Sequence, residues 1–317
     1  MNQLSEATEI AQKLLNNIGL AIVGKERVIE LSLISLMARG HLLIEDMPGL
    51  GKTTLARAIA ISTGCSFKRI QFVPDILPSD ITGVNIYSQK TGEFEFKPGP
   101  IMAQVVLADE INRAPSKTQA ALLEVMEEHQ TTVDGVTYQM SEPFFLIATM
   151  NPIEYHGIFP LPEAQVDRFM MRVSLGYGTP DQELAIIERQ QTHHPLEGVS
   201  PVTTPEQLIF LQDEVKEVYV DPLVRQYIVS ISQASRQHSE IALGISHRGS
   251  LAMFRTSQAL ALTRRREFVV PDDIKELASS VLAHRIILTP EARARGLNGE
   301  KVITGIIDNL PVPGVSG

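Results

Sequence analysis

The sequence contains very little cysteine and no long apolar segment. Cys65 is the only cysteine among 317 residues, so a disulfide framework and a cysteine-based zinc site are excluded. No run approaches 18 uninterrupted apolar residues, and the chain does not start with a basic segment followed by a long apolar one. Those two patterns would indicate a membrane-spanning helix or a signal peptide. We therefore expect a soluble protein of the cytoplasm.

The sequence also has fewer basic than acidic residues. Lysine and arginine number 28 against 37 aspartate and glutamate, which gives a net charge of −9. A protein that mainly binds nucleic acid phosphates typically has an excess of lysine and arginine over aspartate and glutamate. The basic run at 264–266 is more typical of a solvated helix end, and nucleic acid is an unfavoured partner.

Five short apolar runs are present, and they predict a parallel sheet. They lie at 41–46, 67–73, 104–110, 144–151 and 169–175. Helical-looking sequence separates several of them, and continuous apolar runs suit strands that are buried on both faces. The prediction is a five-stranded parallel sheet covered by helices.

The character of the chain changes near residues 177–181. Asp221 and Pro222 then suit the N-cap and first position of a helix. Four segments in this part have helical spacing and no convincing strand lies among them: 221–236, 246–266, 271–285 and 300–310. We predict an α/β domain at 1–178 and a smaller, all-α domain at 179–317.

Two features interrupt the α/β part. Residues 73–100 are rich in proline and glycine and are too long for a plain connection. Residues 131–140 carry Asp-Gly between β-prone residues, which predicts a hairpin.

The stretch "EDMPGLGKTT" at 45–54 nearly matches the phosphate-binding pattern G-x-x-x-x-G-K-[ST]. It follows an apolar run and precedes a plausible helix, so backbone N–H groups and a helix N-terminus would face phosphates. Lys52 would reach the β and γ phosphates, and the Thr53 hydroxyl would ligate Mg²⁺. Asp46 stands where the pattern has glycine, and we expect its carboxylate to turn outward or to pair with a base. The alternative is an incidental glycine-rich turn.

The run "VVLADE" ends in two adjacent carboxylates, Asp109 and Glu110. At the end of a strand, where the chain turns, both can serve one site. Asp109 would hold Mg²⁺ through water, and Glu110 would polarise the attacking water as general base. The alternative is a solvated acidic turn, which becomes unfavourable once a phosphate loop precedes it.

Two further polar residues stand at the ends of apolar or helical runs. Asn151 ends "FFLIATMN", at the edge where open parallel sheets bind ligands, although Asn-Pro also starts ordinary turns. Arg168 ends the short polar helix in "LPEAQVDRF". It could equally do no more than pair with Asp167 or Glu163.

Taken together, these motifs resemble the MoxR family of AAA+ ATPases, in the clade that carries an insert in helix 2. The similarity runs from about residue 21 to the end, through "EDMPGLGKTTLARAIA", "RIQFVPDILPSDITG", "VVLADEINRAPSKTQAALLEVMEE" and "FPLPEAQVDRFMM". The resemblance implies a P-loop αβα domain, an all-α lid and assembly into a ring, with a hexamer as the expected size. The insert would be 73–100, and the hairpin 131–140 would precede the first sensor.

The resemblance also implies roles for individual residues. The nucleotide-binding set is Pro48, Gly49, Leu50, Gly51, Lys52, Thr53 and Thr54 of the phosphate loop, Asp109 of the Walker B pair, and Val23 and Gly24 near the adenine. The catalytic set is Glu110, the sensor Asn151, the finger Arg168 that enters a neighbour's site, and the second sensor Arg248. His247 departs from the proline common in relatives, and a solvent-facing histidine is the plainer interpretation.

The implied function is that of an ATP- and Mg²⁺-dependent remodeller of protein partners. The family resemblance suggests a partner with a von Willebrand factor A domain, a protein client, and maturation of complexes, sometimes by metal insertion. Two alternatives remain open: a nucleic-acid motor or transcriptional regulator on the same core, and a nucleotide-gated scaffold with little turnover.

Overall fold

A parallel sheet forms the centre of the larger part of the molecule. The computed structural model describes residues 3–152, 159–192 and 194–312. In chain order, the strands within these ranges are β1 (Leu42–Glu45), β2 (Phe67–Gln71), β3 (Gly83–Ser88), β4 (Glu93–Pro98), β5 (Val105–Asp109), β6 (Gln130–Val133), β7 (Val136–Gln139), β8 (Phe145–Met150), β9 (Met171–Val173), β10 (Ile241–Leu243) and β11 (Ile287–Leu288). The sheet has the order β2-β5-β8-β1-β9, and all its neighbours are parallel. The predicted five-stranded parallel sheet is confirmed.

Helices cover both faces of this sheet and make up most of the C-terminal part. Within the same ranges they are α1 (Gln3–Gly19), α2 (Glu26–Met37), α3 (Lys52–Ser62), α4 (Pro78–Thr82), α5 (Ser116–Glu128), α6 (Glu163–Val166), α7 (Pro180–Thr192), α8 (Pro205–Glu214), α9 (Pro222–Gln237), α10 (His247–Thr263), α11 (Pro271–Leu282), α12 (Pro290–Ala294) and α13 (Gly299–Asn309). An α/β core followed by a helical lid is thus the architecture, as the sequence predicts.

Alternation along the buried strands divides the core into two apolar layers. Leu42 and Ile44 of β1 join the layer that contains α1, α2 and α3, whereas Leu43 joins the layer that contains α5. Strand β5 does the same, with Leu107 in the first layer and Ala108 in the second. Because successive strand residues point to opposite faces, a strand apolar at every position must be covered on both sides.

The first of these layers continues into the lid. The same apolar cluster contains Leu14 of α1 and Ile34 of α2 together with Leu208, Leu260 and Ile274 of the lid helices. The core and the lid therefore bury one another's apolar surface. The division of the chain at residue 178 stays a prediction.

The lid contains a helix N-cap that the sequence predicts and a strand pair that it does not. The Asp221 side chain accepts a hydrogen bond from the Leu223 backbone N–H at 2.8 Å, which makes it the N-cap of α9. Strands β10 and β11 pair in antiparallel fashion, so the lid is mainly helical but the prediction of an all-α lid is wrong. The two strands have three and two residues, which is too short for an apolar pattern to reveal.

Two hairpins project from the core and contact each other. Residues 73–100 contain α4 and the β3–β4 hairpin, and the hairpin predicted at 131–140 is the β6–β7 pair at 130–139, with its turn at Asp134 and Gly135. The rings of Phe96 and Tyr138 stack with centroids 3.8 Å apart, and the Asn85 amide donates to the Asp134 carboxylate at 2.8 Å. The two hairpins are therefore held together by a ring stack and a side-chain hydrogen bond.

Among the helices of the described ranges, none is both long enough and apolar enough to cross a membrane.

Candidate active site

The carboxyl ends of the parallel strands bring the predicted site residues to one edge of the sheet. Strand β1 leads into the loop 46–51, β5 ends at Asp109, and β8 leads into Asn151. The register aligns Glu45 of β1 with Met150 of β8, and Gln71 of β2 with Asp109. This edge is where ligands bind in open α/β sheets.

The loop after β1 is shaped by two glycines. Gly49 and Gly51 have φ angles of 87° and 90°, a left-handed region that other residues enter only with strain. Gly51 is the N-cap of α3 and brings no capping side chain. The first amides of α3 are therefore free of a side-chain cap at the end of the loop, an arrangement suited to an anion.

Lys52 connects this loop to the carboxylates of β5. Its side chain is buried, and the ammonium donates to the Asp46 carbonyl oxygen at 2.8 Å. Burial lowers the pKa of Lys52 below its ordinary value, while the negative charges of Asp109, Asp46 and Glu110 oppose that shift. Lys52 thus lies within electrostatic reach of both acids that the sequence places in its site.

The Asp46 carboxylate turns away from the loop, but among the described residues it neither faces solvent nor pairs with a base. It is 7% exposed and accepts hydrogen bonds from the Ser174 hydroxyl and the Gly176 backbone N–H, each at 3.1 Å, and from the Leu175 backbone N–H. The groups that donate hydrogen bonds to Asp46 thus lie in the segment that follows β9, and no sequence motif predicts them there.

Both acids at the end of β5 are held by residues of β2. The Arg69 guanidinium donates to one Asp109 oxygen at 2.6 and 3.0 Å, and the Thr149 hydroxyl donates to the other at 2.6 Å. Gln71 donates to the Glu110 carboxylate at 2.8 Å. Arg69, Gln71 and Thr149 could not be identified from sequence motifs, because only the strand order makes β2 and β8 neighbours of β5.

Glu110 stands in an unusual backbone conformation. Its φ of 59° and ψ of 49° are left-handed, and its N–H donates to the Thr149 hydroxyl at 2.9 Å. Arg113 also contacts its carboxylate, at 3.2 Å. A left-handed non-glycine residue is uncommon and is often found at functional sites, where it sets the direction of a side chain.

Asn151 lies beside this pair at the end of β8. It is 8% exposed, and its carbonyl oxygen accepts a hydrogen bond from the Asn112 side chain at 3.2 Å. Asn112 belongs to the short 3₁₀ turn Ile111–Arg113 directly after Glu110, so the two strand ends are joined.

A cavity of about 260 Å³ opens between the loop 46–51 and α7. Its wall includes five residues of the predicted nucleotide set: Val23, Gly49, Leu50, Gly51 and Thr54. Gly24 stands next to it, and its carbonyl oxygen accepts from the Gln182 amide of α7 at 3.3 Å. Pro48, Lys52 and Thr53 belong to the same loop and helix start.

The opposite wall of the cavity was not anticipated from the sequence. It includes Gly176 and Gly178 of the segment leading to the lid and Ile186 and Arg189 of α7. Lys25 secures that segment, because its ammonium donates to the Tyr177 carbonyl oxygen at 2.9 Å. Glycines and an amphipathic helix are too common in sequences to have pointed to this wall.

The two predicted arginines, Arg168 and Arg248, lie side by side at a different place. Both contact the carboxylate of Glu127 in α5, Arg168 at 3.1 Å on one oxygen and Arg248 on the other. Arg248 also lies 3.6 Å from the Asp167 carboxylate. Among the described residues, the ion partner of Arg168 is thus Glu127 rather than Glu163 or Asp167. His247, at the start of α10, is exposed, as the plainer interpretation expected.

Comparisons with known proteins define the class. A model of the ATPase family associated with various cellular activities (AAA) matches residues 41–171, and a model of the AAA lid domain matches residues 233–306. A solved structure from Cytophaga hutchinsonii superposes with a TM-score of 0.92 at 36% identity, and it covers 98% of this chain and 97% of that one. The chain is an AAA+ ATPase with a helical lid.

Relatives identify the branch of that class. The chain is 51% identical to YeaC of Bacillus subtilis, with 95% of this chain and 94% of the relative covered. It is 39% identical to Chaperone MoxR1 of Mycobacterium tuberculosis, with 93% and 80% covered, and 30% identical to MoxR of Paracoccus denitrificans, with 92% and 93% covered. The chain belongs to the MoxR family of AAA+ ATPases.

Proposed function

We propose that this ATPase hydrolyses ATP at the interface between neighbouring subunits of a ring, expected to be a hexamer, and uses the cycle to remodel protein partners. The proposal rests on one observation: the predicted catalytic and nucleotide-binding residues fall into two groups with different contacts. Lys52, Asp109 and Glu110 converge at the carboxyl edge of the sheet, whereas Arg168 and Arg248 stand together on Glu127.

The residues at the carboxyl edge fit a nucleotide with Mg²⁺. The left-handed Gly49 and Gly51 and the start of α3 supply the backbone amides that phosphates need. The Thr53 hydroxyl and the Asp109 carboxylate supply oxygen donors, which Mg²⁺ prefers. Mg²⁺ held there, with Asp109 acting through water, would neutralise charge on the phosphates.

Each residue of this set then has a definite task. Lys52 exchanges its bond to the Asp46 carbonyl oxygen for the phosphates. Glu110 accepts the proton of the attacking water, once its carboxylate leaves the Gln71 amide and the Arg113 guanidinium that it contacts. Asn151 hydrogen-bonds the water or the γ-phosphate from the end of β8.

The arginines are better placed to act on a neighbour than on their own nucleotide. The described side-chain contacts of Asp109 and Glu110 come from Arg69, Thr149, Gln71 and Arg113, whereas Arg168 and Arg248 both contact Glu127 of α5. An arginine supplied in trans stabilises charge that develops on the γ-phosphate and is worth about 10³–10⁵ in rate. Arg168 and Arg248 would therefore act as a pair in the next subunit's site.

The experiment that tests the chemistry is the substitution Glu110→Gln. It keeps the size of the side chain but removes its basicity, so we expect binding of a fluorescent ATP analogue to be retained and phosphate release to be nearly abolished. Glu128→Gln, an exposed substitution at the end of α5, is the control with the same loss of charge. Unchanged phosphate release by Glu110→Gln would remove Glu110 from its role.

The client side of the proposal rests on the relatives, one of which is named a chaperone. We propose a partner with a von Willebrand factor A domain, whose client complex matures or receives its metal through the ATPase cycle. A purified partner with the Asp-x-Ser-x-Ser motif, encoded next to this chain, should bind the ATP-loaded Glu110→Gln ring and not Lys52→Ala. Turnover stimulated by DNA at physiological salt would instead favour a nucleic-acid motor.

A further inference from the structure

Five charged residues form one cluster at the junction of the core and the lid, and only two of them belong to the predicted catalytic set. They are Glu127 of α5, Asp167 and Arg168 at the end of α6, Arg248 of α10 and Arg285 just after α11, and we call them the arginine cluster. Arg168 and Arg248 are expected to act on a neighbour's nucleotide. The other three residues, Glu127, Asp167 and Arg285, are not in the predicted catalytic set.

Glu127 is the common partner of both arginines. Arg168 contacts one of its oxygens at 3.1 Å, and Arg248 donates to the other. A single carboxylate thus sets the separation of two guanidinium groups that would otherwise repel each other. A guanidinium has five N–H donors, so one carboxylate engages only a part of each and leaves others to meet a phosphate.

Arg285 anchors the backbone on either side of Arg168. Its side chain is 1% exposed and contacts the Asp167 carboxylate at 2.6 Å. It also donates to the carbonyl oxygens of Asp167 and Phe169, the residues that flank Arg168 in the chain. Breaking these bonds would leave the Arg285 guanidinium buried without a partner, which is costly in folding free energy. The bonds are therefore expected to persist while the lid stays packed on the core.

The lid reaches Asp167 from a second helix as well. The Ser246 hydroxyl, at the N-cap of α10, donates to the Asp167 carboxylate at 3.1 Å, and Arg248 follows two residues later at 3.6 Å from the same carboxylate. Asp167 is therefore bound both by α10 and by Arg285, which follows α11. A movement of the lid must carry the segment 167–169 with it or break these bonds.

We propose that Glu127 and the Arg285–Asp167 pair are positioning residues that hold Arg168 and Arg248 side by side, and that they tie the arginines presented to a neighbour to the lid of the same subunit. The inference rests on the proposed action of these arginines in trans. The lid that packs on a subunit's own core thereby controls hydrolysis in the next subunit.

The test uses mixed rings in which each subunit has one task. A donor subunit, Glu110→Gln, presents its arginines but cannot hydrolyse its own ATP. An acceptor subunit, Arg168→Ala, keeps its acids but presents no finger. Each is inactive alone, and an equal mixture should release phosphate at the junctions where a donor serves an acceptor.

Adding Glu127→Gln to the donor should lower the turnover of the mixture by about 10²-fold, the cost of a catalytic group misplaced by about 1 Å. The same substitution in the acceptor should leave turnover unchanged, because the acceptor's arginines are not used. Glu128→Gln in the donor is the matched control and should have no effect. An equal effect in donor and acceptor, no effect in the donor, or a faster donor would each overturn the proposal.

The lid connection is tested in the same way with Asp167→Asn and Arg285→Lys. Both keep approximate size, and Arg285→Lys keeps the buried charge while losing the planar fork that bonds residues 167 and 169. Each should act from the donor side only, and either variant suffices if the other does not fold. If the unmodified donor fails to activate the acceptor, the action in trans is wrong and this inference falls with it. If activation occurs but ignores these substitutions, only the inference is wrong.

Discussion

At the scale of single residues, Asp46 shows how a departure from a motif can serve the site in another way. Its carbonyl oxygen accepts from the Lys52 ammonium at 2.8 Å, while its carboxylate binds the Ser174 hydroxyl and the amides of Leu175 and Gly176. Gly176 lines the cavity. One residue thus joins the loop 46–51 to the opposite wall of the cavity.

We expect Asp46→Asn to weaken both the fold and the binding of ATP. The asparagine side chain is neutral, so the hydrogen bonds that the Leu175 and Gly176 amides donate to a carboxylate become neutral ones of about half the strength, at a cost of about 1 kcal/mol. The pocket wall at Gly176 should loosen, which raises KM for ATP more than it lowers kcat. Denaturant unfolding and steady-state kinetics measure the two effects.

The control for this substitution is Asp308→Asn on α13, where the aspartate is exposed. It makes the same chemical change without a buried partner. If Asp46→Asn and Asp308→Asn have the same stability and the same KM, Asp46 does not organise the pocket.

At the scale of secondary-structure elements, His41 connects three of them. It stands directly before β1, its Nδ1 accepts from the Leu146 N–H of β8 at 3.1 Å, and its Nε2 lies 3.2 Å from the Met126 carbonyl oxygen of α5. Both contacts are satisfied only by the neutral ring with its proton on Nε2. Burial, the main cause, and the neighbouring His129 lower the pKa of His41 to about 4.

This lowered pKa predicts a loss of stability in acid. Between pH 6.5 and pH 4 the unfolded chain binds a proton at His41 and the folded chain does not, so the free energy of unfolding falls as the pH falls. The contribution is fully present above pH 6.5 and amounts to about 3 kcal/mol when it is lost near pH 4.

The measurement is urea unfolding from pH 7 to pH 4 for the wild type and for His41→Asn. The asparagine oxygen can still accept from Leu146 but does not titrate in this range, so the variant should show a flatter pH dependence. His247→Gln, which changes an exposed histidine, should follow the wild type. A variant with the wild-type slope would show that His41 is not the group responsible.

At the scale of the whole molecule, one apolar cluster joins the core to the lid. Leu14 and Ile34 on the core side belong to the same cluster as Leu208, Leu260 and Ile274 on the lid side. Burial of this kind contributes roughly 25 cal/mol for each Å² removed from water. Separating the parts would expose these side chains, so folding of the core and the lid should be coupled.

We therefore expect a fragment that ends at residue 178 to lack a cooperative unfolding transition. It should bind the dye ANS through its exposed apolar face, whereas the full chain should unfold in one transition seen alike by far-UV circular dichroism and by calorimetry. A fragment that melts cooperatively at the temperature of the full chain would show that the core folds independently and would support the division at residue 178.

Much of the fold follows from local pattern. The five apolar runs became the five strands of the sheet, and the Asp-Gly at 134–135 lies at the turn of the β6–β7 hairpin. The loop at 45–54 and the acids Asp109 and Glu110 were found because short motifs and strand ends are read directly along the chain. Local propensity and side-chain periodicity need no knowledge of distant neighbours.

The sequence by itself thus determined the class of protein, the sheet and the identity of most candidate site residues. Only the tertiary structure decided which partners those residues have. Arg69 meets Asp109 because β2 lies beside β5, Asp46 meets Gly176 because β9 lies beside β1, and Glu127 meets Arg248 because the lid packs against α5. Strand order and lid packing result from the burial of apolar surface over the whole chain, a sum over distant contacts that no local pattern contains.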